Sequence, residues 1–174
     1  MDHLFARYSL KSLKLRNRIG VSPMCMYSAD DGLMNDWHLV HLGARAAGGA
    51  GLLICEATAV APEGRITPGD AGIWSERHLE PLVRINRVVK QQGAVSGIQL
   101  AHAGRKASAA RPWEGGAHLG DGKGGWPTVA PTAVAFGDAL DKVPAELSEG
   151  EIARIQGDFV AGAKRALAAG FEWV

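Results

Sequence analysis

Soft, amide and aromatic side chains gather in three short segments of this sequence. The first is Ser22-Pro23-Met24-Cys25-Met26-Tyr27, which brings together a thiol, two thioethers and a phenol. The second runs Glu56-Ala57-Thr58-Ala59 and continues to Glu63-Gly64-Arg65. The third holds Gln99, followed by Ala101-His102-Ala103-Gly104-Arg105-Lys106. A thiol is polarizable and a weak donor, and a glutamine amide offers both a donor and an acceptor. None of the segments clusters carboxylates. The mixture suits a flat, polarizable heteroaromatic ligand better than a metal ion or a sugar.

Each residue alone has a plainer reading. Cys25 fits an inert buried thiol, Tyr27 a core-edge aromatic, and Gln99 a hydrogen-bonded strand glutamine. His38 and His41 lie three apart on a helical stretch but lack a third ligand of suitable spacing, so capping or packing is expected and no metal site. His102, Arg105 and Lys106 fit either a cofactor-facing role or solvated ion pairs. Gly120-x-Gly122-x-x-Gly125 matches a dinucleotide-binding pattern, but it follows a polar glycine loop and precedes Trp126-Pro127. Without a strand before it and a helix after it, that pattern is a surface loop.

The elements that position these residues read as alternating strand and helix. Arg18–Ser22, Leu52–Ala57 and Val95–Leu100 are β-rich runs, and a further strand begins at Phe171. The first two do not alternate in polarity, as expected of parallel strands covered on both faces. Asn35 caps a helix over about 36–47, stopped by Gly48-Gly49. Ser75 caps one over about 76–92, with Leu82, Ile85 and Val89 on one face and Gly93 as the stop. Ser148-Glu149-Gly150-Glu151 is a capping box before Ile152, Ile155, Phe159 and Ala163, and Gly170 ends that run. Segment 103–147 is loop chemistry, and a loop of that length is usually functional.

Such a series predicts an α/β fold with right-handed crossovers: the N-terminal part of a parallel (β/α)8 barrel. Residues 1–174 then hold three βα units and the start of a fourth strand of one domain. A closed barrel needs eight units, so the expectation is a truncated chain or one piece of a split one. In parallel barrels the active site forms at the carboxyl ends of the strands, where all three chemistry-bearing segments fall.

Bulk properties narrow the class. With 47% hydrophobic and 21% charged residues and a formal net charge of +1, the chain is an ordinary globular sequence with no global field for nucleic acid or an anionic membrane. Its apolar runs are too short for a membrane span, and the N-terminus lacks a signal-like apolar stretch. Its two cysteines, Cys25 and Cys55, lie in or beside apolar runs, which points to reduced thiols and a cytoplasmic setting.

Taken together, Ser22–Tyr27, Glu56-Ala57-Thr58-Ala59-Val60, Gly64-Arg65-Ile66-Thr67, Gly72-Ile73-Trp74-Ser75 and Gly97–Lys106 resemble the Old Yellow Enzyme family of flavoproteins. They resemble most the xenobiotic-reductase branch, which has a cysteine beside the flavin. The match is in order and runs over nearly the whole chain. The resemblance implies an FMN-binding barrel that uses NADPH or NADH to reduce the C=C bond of α,β-unsaturated carbonyl compounds. It implies that Ser22, Pro23, Met24 and Cys25 line the flavin edge. Ala57 would present its backbone near the flavin N5 and O4, and Gln99 would bond the pyrimidine ring. Cys25 would tune the potential, and Tyr27 would face a small enone substrate. It implies a homo-oligomer for the complete enzyme. The carbonyl-binding pair, the proton donor and the phosphate site are expected beyond Val174. Two other readings remain: a related flavoprotein such as a dienoyl-CoA reductase, and a non-catalytic half-barrel that needs a complementary chain.

Overall fold

A computed structural model describes residues 3–174, the side chain of Asp121 excepted. The reading of the extreme N-terminus involved Met1 and Asp2, which lie outside the described residues. The elements are β1 (Tyr8–Leu10), β2 (Leu13–Leu15), β3 (Gly20–Val21), α1 (Asp36–Ala47), β4 (Leu52–Ala59), β5 (Ala71–Gly72), α2 (Leu79–Gln91), β6 (Val95–Ala101), β7 (Val129–Ala130), β8 (Ala145–Glu146) and α3 (Glu149–Ala168). No helix among the described residues is long and apolar enough to cross a membrane.

The central sheet is parallel. Gly20 pairs with Leu52 and Val21 with Leu53. On the other side of β4, Leu52 pairs with Val95 and the register runs up to Ala59 with Ala101. Beyond β6, Gly97 bridges to Trp173 in parallel. The Glu172 N–H donates to the Ser96 carbonyl at 2.9 Å, and the Ile98 N–H to the Trp173 carbonyl at 3.0 Å. Consecutive strands are therefore spatial neighbours without reversal. That is the strand order of a barrel; a doubly wound sheet reverses direction at a switch point.

The expected elements form with shifted ends. The first strand shrinks to Gly20–Val21, because the Asn17 side chain takes the Ile19 N–H at 3.0 Å and Pro23 has no donor to continue the ladder. The second and third extend to Ala59 and Ala101. The second helix opens with a 3-10 turn at Glu76–His78, in which the Ser75 N–H donates to His78 Nδ1 at 3.2 Å. The α-helix proper starts at Leu79, with Pro81 in its first turn, where no donor is needed. The Ser148 box forms as read: the Ser148 N–H donates to Glu151 Oε2 at 2.8 Å and the Glu151 N–H returns to Ser148 Oγ at 3.3 Å. Two small features had no strong sequence signal: the β1–β2 hairpin, and β5, which pairs Ala71 and Gly72 with Thr58 and Ala59.

The core lies between the sheet and the three helices. Leu53, Cys55 and Ile98 from the strands meet Leu42 and Ala46 of α1, Leu82, Ile85 and Val89 of α2, and Ala166 of α3. Gly97 lets the sheet close up at its far edge, since a Cβ there would stand 3.1 Å from Trp173 Cβ and 3.3 Å from Ile54 Cγ1. At the amino ends of the strands the hairpin residues Tyr8, Leu10 and Leu15 share a cleft with Gly20, Leu52 and Trp173. Arg16, just after the hairpin, caps two helices. Its guanidinium donates to the carbonyls of Ala46 (2.6 Å) in the last turn of α1, of Ala50 (2.8 Å) just beyond it and of Gln92 (2.6 Å) after α2. A cation at helix C-termini satisfies orphan carbonyls and opposes the negative end of the dipole.

Candidate active site

β4 carries one extra residue. Cys55 pairs with Ile98 and Ala57 with Gln99, which leaves Glu56 opposite no residue of β6. Such a bulge re-aims side chains, and bulges are common beside active sites. Here it sets Ala57 and Gln99 side by side near the carboxyl ends of two central strands. Gln99 is exposed, and its amide meets no hydrogen-bond partner among the described residues. Ala57 is half-buried and contributes little more than backbone.

The segment after β3 folds toward this pair. Ser22 and Met24 are exposed, while Pro23, Cys25 and Tyr27 are half-buried. The Cys25 thiol lies within reach of the Ala57 backbone N–H and of the Tyr27 hydroxyl. Burial pushes this thiol above its ordinary value, and the carboxylates of Asp70 and Glu56 push the same way. Cys25 is therefore a neutral thiol at physiological pH. Burial, then the neighbouring Cys25 and Asp70, push the Tyr27 phenol up to about 12, so it stays a hydroxyl donor. Tyr27 is held in the left-handed region at φ 50°. That conformation costs a residue with a Cβ about 1–2 kcal/mol and must be imposed by its surroundings. The Arg111 Nε donates to the Tyr27 carbonyl at 2.9 Å, Gly69 packs its bare Cα against the same carbonyl, and the Trp113 ring meets the phenol edge-on at 6.0 Å.

Two buried carboxylates support the segment from below. Asp70 closes its own loop, accepting from the N–H groups of Ile66 (2.7 Å) and Thr67 (2.9 Å) and from the Thr67 hydroxyl (2.9 Å). Glu56, only 5% exposed, accepts from the Met26 N–H at 2.9 Å through Oε2. Its Oε1 stands 3.4 Å from Nε2 of the fully buried His38. His38 Nδ1 lies 3.1 Å from both the Asn35 backbone nitrogen and Asn35 Oδ1, and so completes the capping box of α1. His38 thus does the expected capping and also faces Glu56. His41 lines the same small pocket as His38 and Glu56, with its pKa lowered by burial and then by Arg45.

The long segment 103–147 folds over the carboxyl ends. The Ala109 N–H donates to the Ile66 carbonyl at 2.8 Å, and Trp126 Nε1 to the Glu63 carbonyl at 3.0 Å. Beneath it opens a cavity of about 470 Å³ whose walls include Tyr27, Thr67, His102, Lys106, Pro112 and Leu140. That volume suits a small organic molecule. Burial lowers the His102 pKa, so its imidazole is neutral at the cavity wall. The glycine pattern at Gly120–Gly125 forms a 3-10 turn at Asp121–Lys123 within this loop, with neither a strand before it nor a helix after it.

Residues 3–174 match the NADH:flavin oxidoreductase / NADH oxidase family along their whole length. The chain belongs to that family. It is 46% identical over 170 residues to an NADPH dehydrogenase of Clostridium acetobutylicum, covering 97% of this chain and 46% of that protein. It is 44% identical over 172 residues to an NADH:flavin oxidoreductase of Gibberella zeae, covering 97% of this chain and 42% of that one. Among solved structures, morphinone reductase superposes with a TM-score of 0.80 at 28% identity, and an Old Yellow Enzyme from a Pichia species with 0.82 at 26%. Each covers 97% of this chain, which in turn spans 46% and 44% of those proteins. The chain thus spans a little under half the length of these family members, and the likeness to the Old Yellow Enzyme family read from the motifs holds.

The fold brings Cys25, Tyr27, Ala57 and Gln99 to one end of the sheet and sets Ser22, Pro23 and Met24 at the end of its first strand. Three residues of this family member escaped the sequence reading. Glu56 had a signal, since an acid inside an otherwise apolar strand needs a partner. Asp70 had only the short-range spacing to Thr67, whose amide and hydroxyl it accepts, and Arg111 had none, because its target is the Tyr27 backbone 84 residues away.

Proposed function

We propose that this chain supplies the flavin-edge half of an FMN-dependent NAD(P)H oxidoreductase that reduces the C=C bond of α,β-unsaturated carbonyl compounds. The observation that carries the reading is the in-register pair Ala57 and Gln99, with the Cys25 thiol within reach of the Ala57 amide. The unpartnered Gln99 amide matches a ring edge that carries both donors and acceptors. The small Ala57 side chain leaves the backbone accessible to a flat ring, and the soft groups of Met24 and Cys25 suit a polarizable face. The residues therefore fit FMN, held by Ser22, Pro23, Met24, Cys25, Ala57 and Gln99. When bound, the flavin supplies hydride transfer from the nicotinamide to the activated alkene.

The protein's own residues bind and orient. The cavity of about 470 Å³ under segment 103–147 receives a small enone, with the Tyr27 hydroxyl on its wall as a hydrogen-bond donor. Two free cysteines suit a reducing, cytoplasmic setting. Fluorescence titration with FMN and NADPH-dependent consumption of a cyclic enone test the reading. Gln99→Ala is expected to weaken FMN binding by about 0.5–1.5 kcal/mol per lost hydrogen bond, a few-fold to about tenfold each. An unchanged FMN affinity in that variant removes Gln99 from the site, and a whole barrel carrying this half that binds no flavin defeats the reading.

A further inference from the structure

Glu56 occupies an uncommon position. It is the extra residue of a bulge in a central strand, so no backbone partner on β6 fixes it. It is nevertheless buried, and a buried carboxylate is kept only where it is paired or hydrogen-bonded. Its two oxygens face two different parts of the fold. Oε2 takes the N–H of Met26, the residue between Cys25 and Tyr27. Oε1 faces His38, whose other nitrogen is fixed by the first turn of α1. A line of contacts therefore runs from the helix cap through His38 and Glu56 to the backbone of the Cys25–Tyr27 segment. The same bulge that frees Glu56 also sets Ala57 beside Gln99, so the strand places both sides of the site with one irregularity.

We propose that Glu56 is the positioning residue of the site: its carboxylate, packed 3.4 Å from His38 Nε2, holds the Met26 amide and so fixes Cys25 against the Ala57 backbone and Tyr27 in its left-handed conformation. The role depends on reach. An aspartate at the same place keeps the charge but ends roughly 1.5 Å short, which opens a bond of 2.9 Å beyond hydrogen-bonding distance. A glutamine keeps the reach and an acceptor oxygen but gives up the charge. Glu56 touches neither substrate nor ring in this arrangement and acts only through the segment it holds. The link to catalysis rests on the functional reading above; the link to Cys25 and Met26 does not.

The test compares Glu56→Asp with Glu56→Gln in the whole barrel that carries this half, with and without FMN. Three quantities are measured: the iodoacetamide alkylation rate of Cys25 resolved by mass spectrometry, hydrogen exchange at the Met26 amide, and the FMN midpoint potential. Cys55, 2% exposed, serves as the unreactive internal control. In the wild type the Met26 amide is expected to be protected. Glu56→Asp is expected to speed Cys25 alkylation and Met26 exchange by about tenfold, the factor of a lost charge-assisted hydrogen bond, and to shift the potential. Glu56→Gln is expected to stay within about threefold of wild type on both rates, since one neutral bond of ordinary strength remains. Equal effects in the two variants, or a larger effect in Glu56→Gln, overturn the proposal. So does a Met26 amide that exchanges in the wild type as fast as in an open peptide, a result that needs no variant to fold. If a whole barrel carrying this half binds no FMN, the functional reading fails, while the thiol and amide rates still decide the role of Glu56.

Discussion

Cys55 and Cys25 are the same residue type in opposite situations. Cys55 lies in the layer between sheet and helices, where burial pushes its thiol up to about 12 from an ordinary 9.0. A folded-state value raised this way favours the neutral thiol. Its stabilising contribution is therefore complete below about pH 9 and is lost as the pH rises toward 12. The urea midpoint is expected to fall between pH 9 and pH 11, and Cys55→Ala, less stable at pH 7, is expected to show a shallower fall over that range. Equal slopes for the two proteins would mean that Cys55 opens to solvent before it ionises. Cys25 faces the proposed flavin edge instead. Its thiol can shift a potential only through a difference between its contacts with oxidised and with reduced flavin. Cys25→Ala and Cys25→Ser are each expected to move the FMN potential by roughly 10–30 mV, the size of one weak hydrogen bond in a two-electron couple. Flavin reduction and reoxidation rates should then change in opposite directions, measured by stopped flow. An unchanged potential with both rates intact would make Cys25 a packing residue. At this scale the sequence showed the groups proposed to face a ligand, because Cys25, Tyr27 and Gln99 stand out by type and position. It did not show what holds them. Arg111 reaches the carbonyl of Tyr27, 84 residues away, and no local pattern encodes such a contact.

Helices were legible because their signals are local. Asn35 and Ser148 act as caps, and Gly49, Gly93 and Gly170 adopt positive φ just past the three helix ends, as their places in the sequence imply. The hairpin was not legible, since three-residue strands carry too few alternations to stand out. Its worth lies in placing Arg16, the residue next to its second strand. Arg16 bonds carbonyls at or just beyond the ends of both α1 and α2, and hydrogen bonds from a charged donor contribute about 1.5–3 kcal/mol. Arg16→Ala is expected to destabilise the fold by at least about 1.5 kcal/mol, and Arg16→Lys to recover only part of that, because one ammonium cannot span three carbonyls. Denaturant melts of the three proteins check the order. A melt unchanged in Arg16→Ala would mean that water satisfies those carbonyls equally well.

At the scale of the whole molecule, strand order decides the architecture. Alternating strand and helix could have come from an open sheet. The unreversed neighbours β3, β4, β6 and Trp173 are those of a barrel. The order was legible in outline because short βα crossovers set successive strands side by side. The path of segment 103–147 was not, because its anchors at Ile66, Glu63 and Tyr27 belong to other units. All these strands point the same way, so the two ends of the sheet meet different demands. The hairpin, Arg16 and Asn17 close the amino ends, while every candidate ligand contact sits at the carboxyl ends. A lineage carrying this chain can therefore accumulate changes in the loops around Pro112 and Leu140 without disturbing what keeps the sheet and helices joined. Heritable variation in which molecules are accepted is separated, by the length of β4 and β6, from variation in whether the protein folds at all.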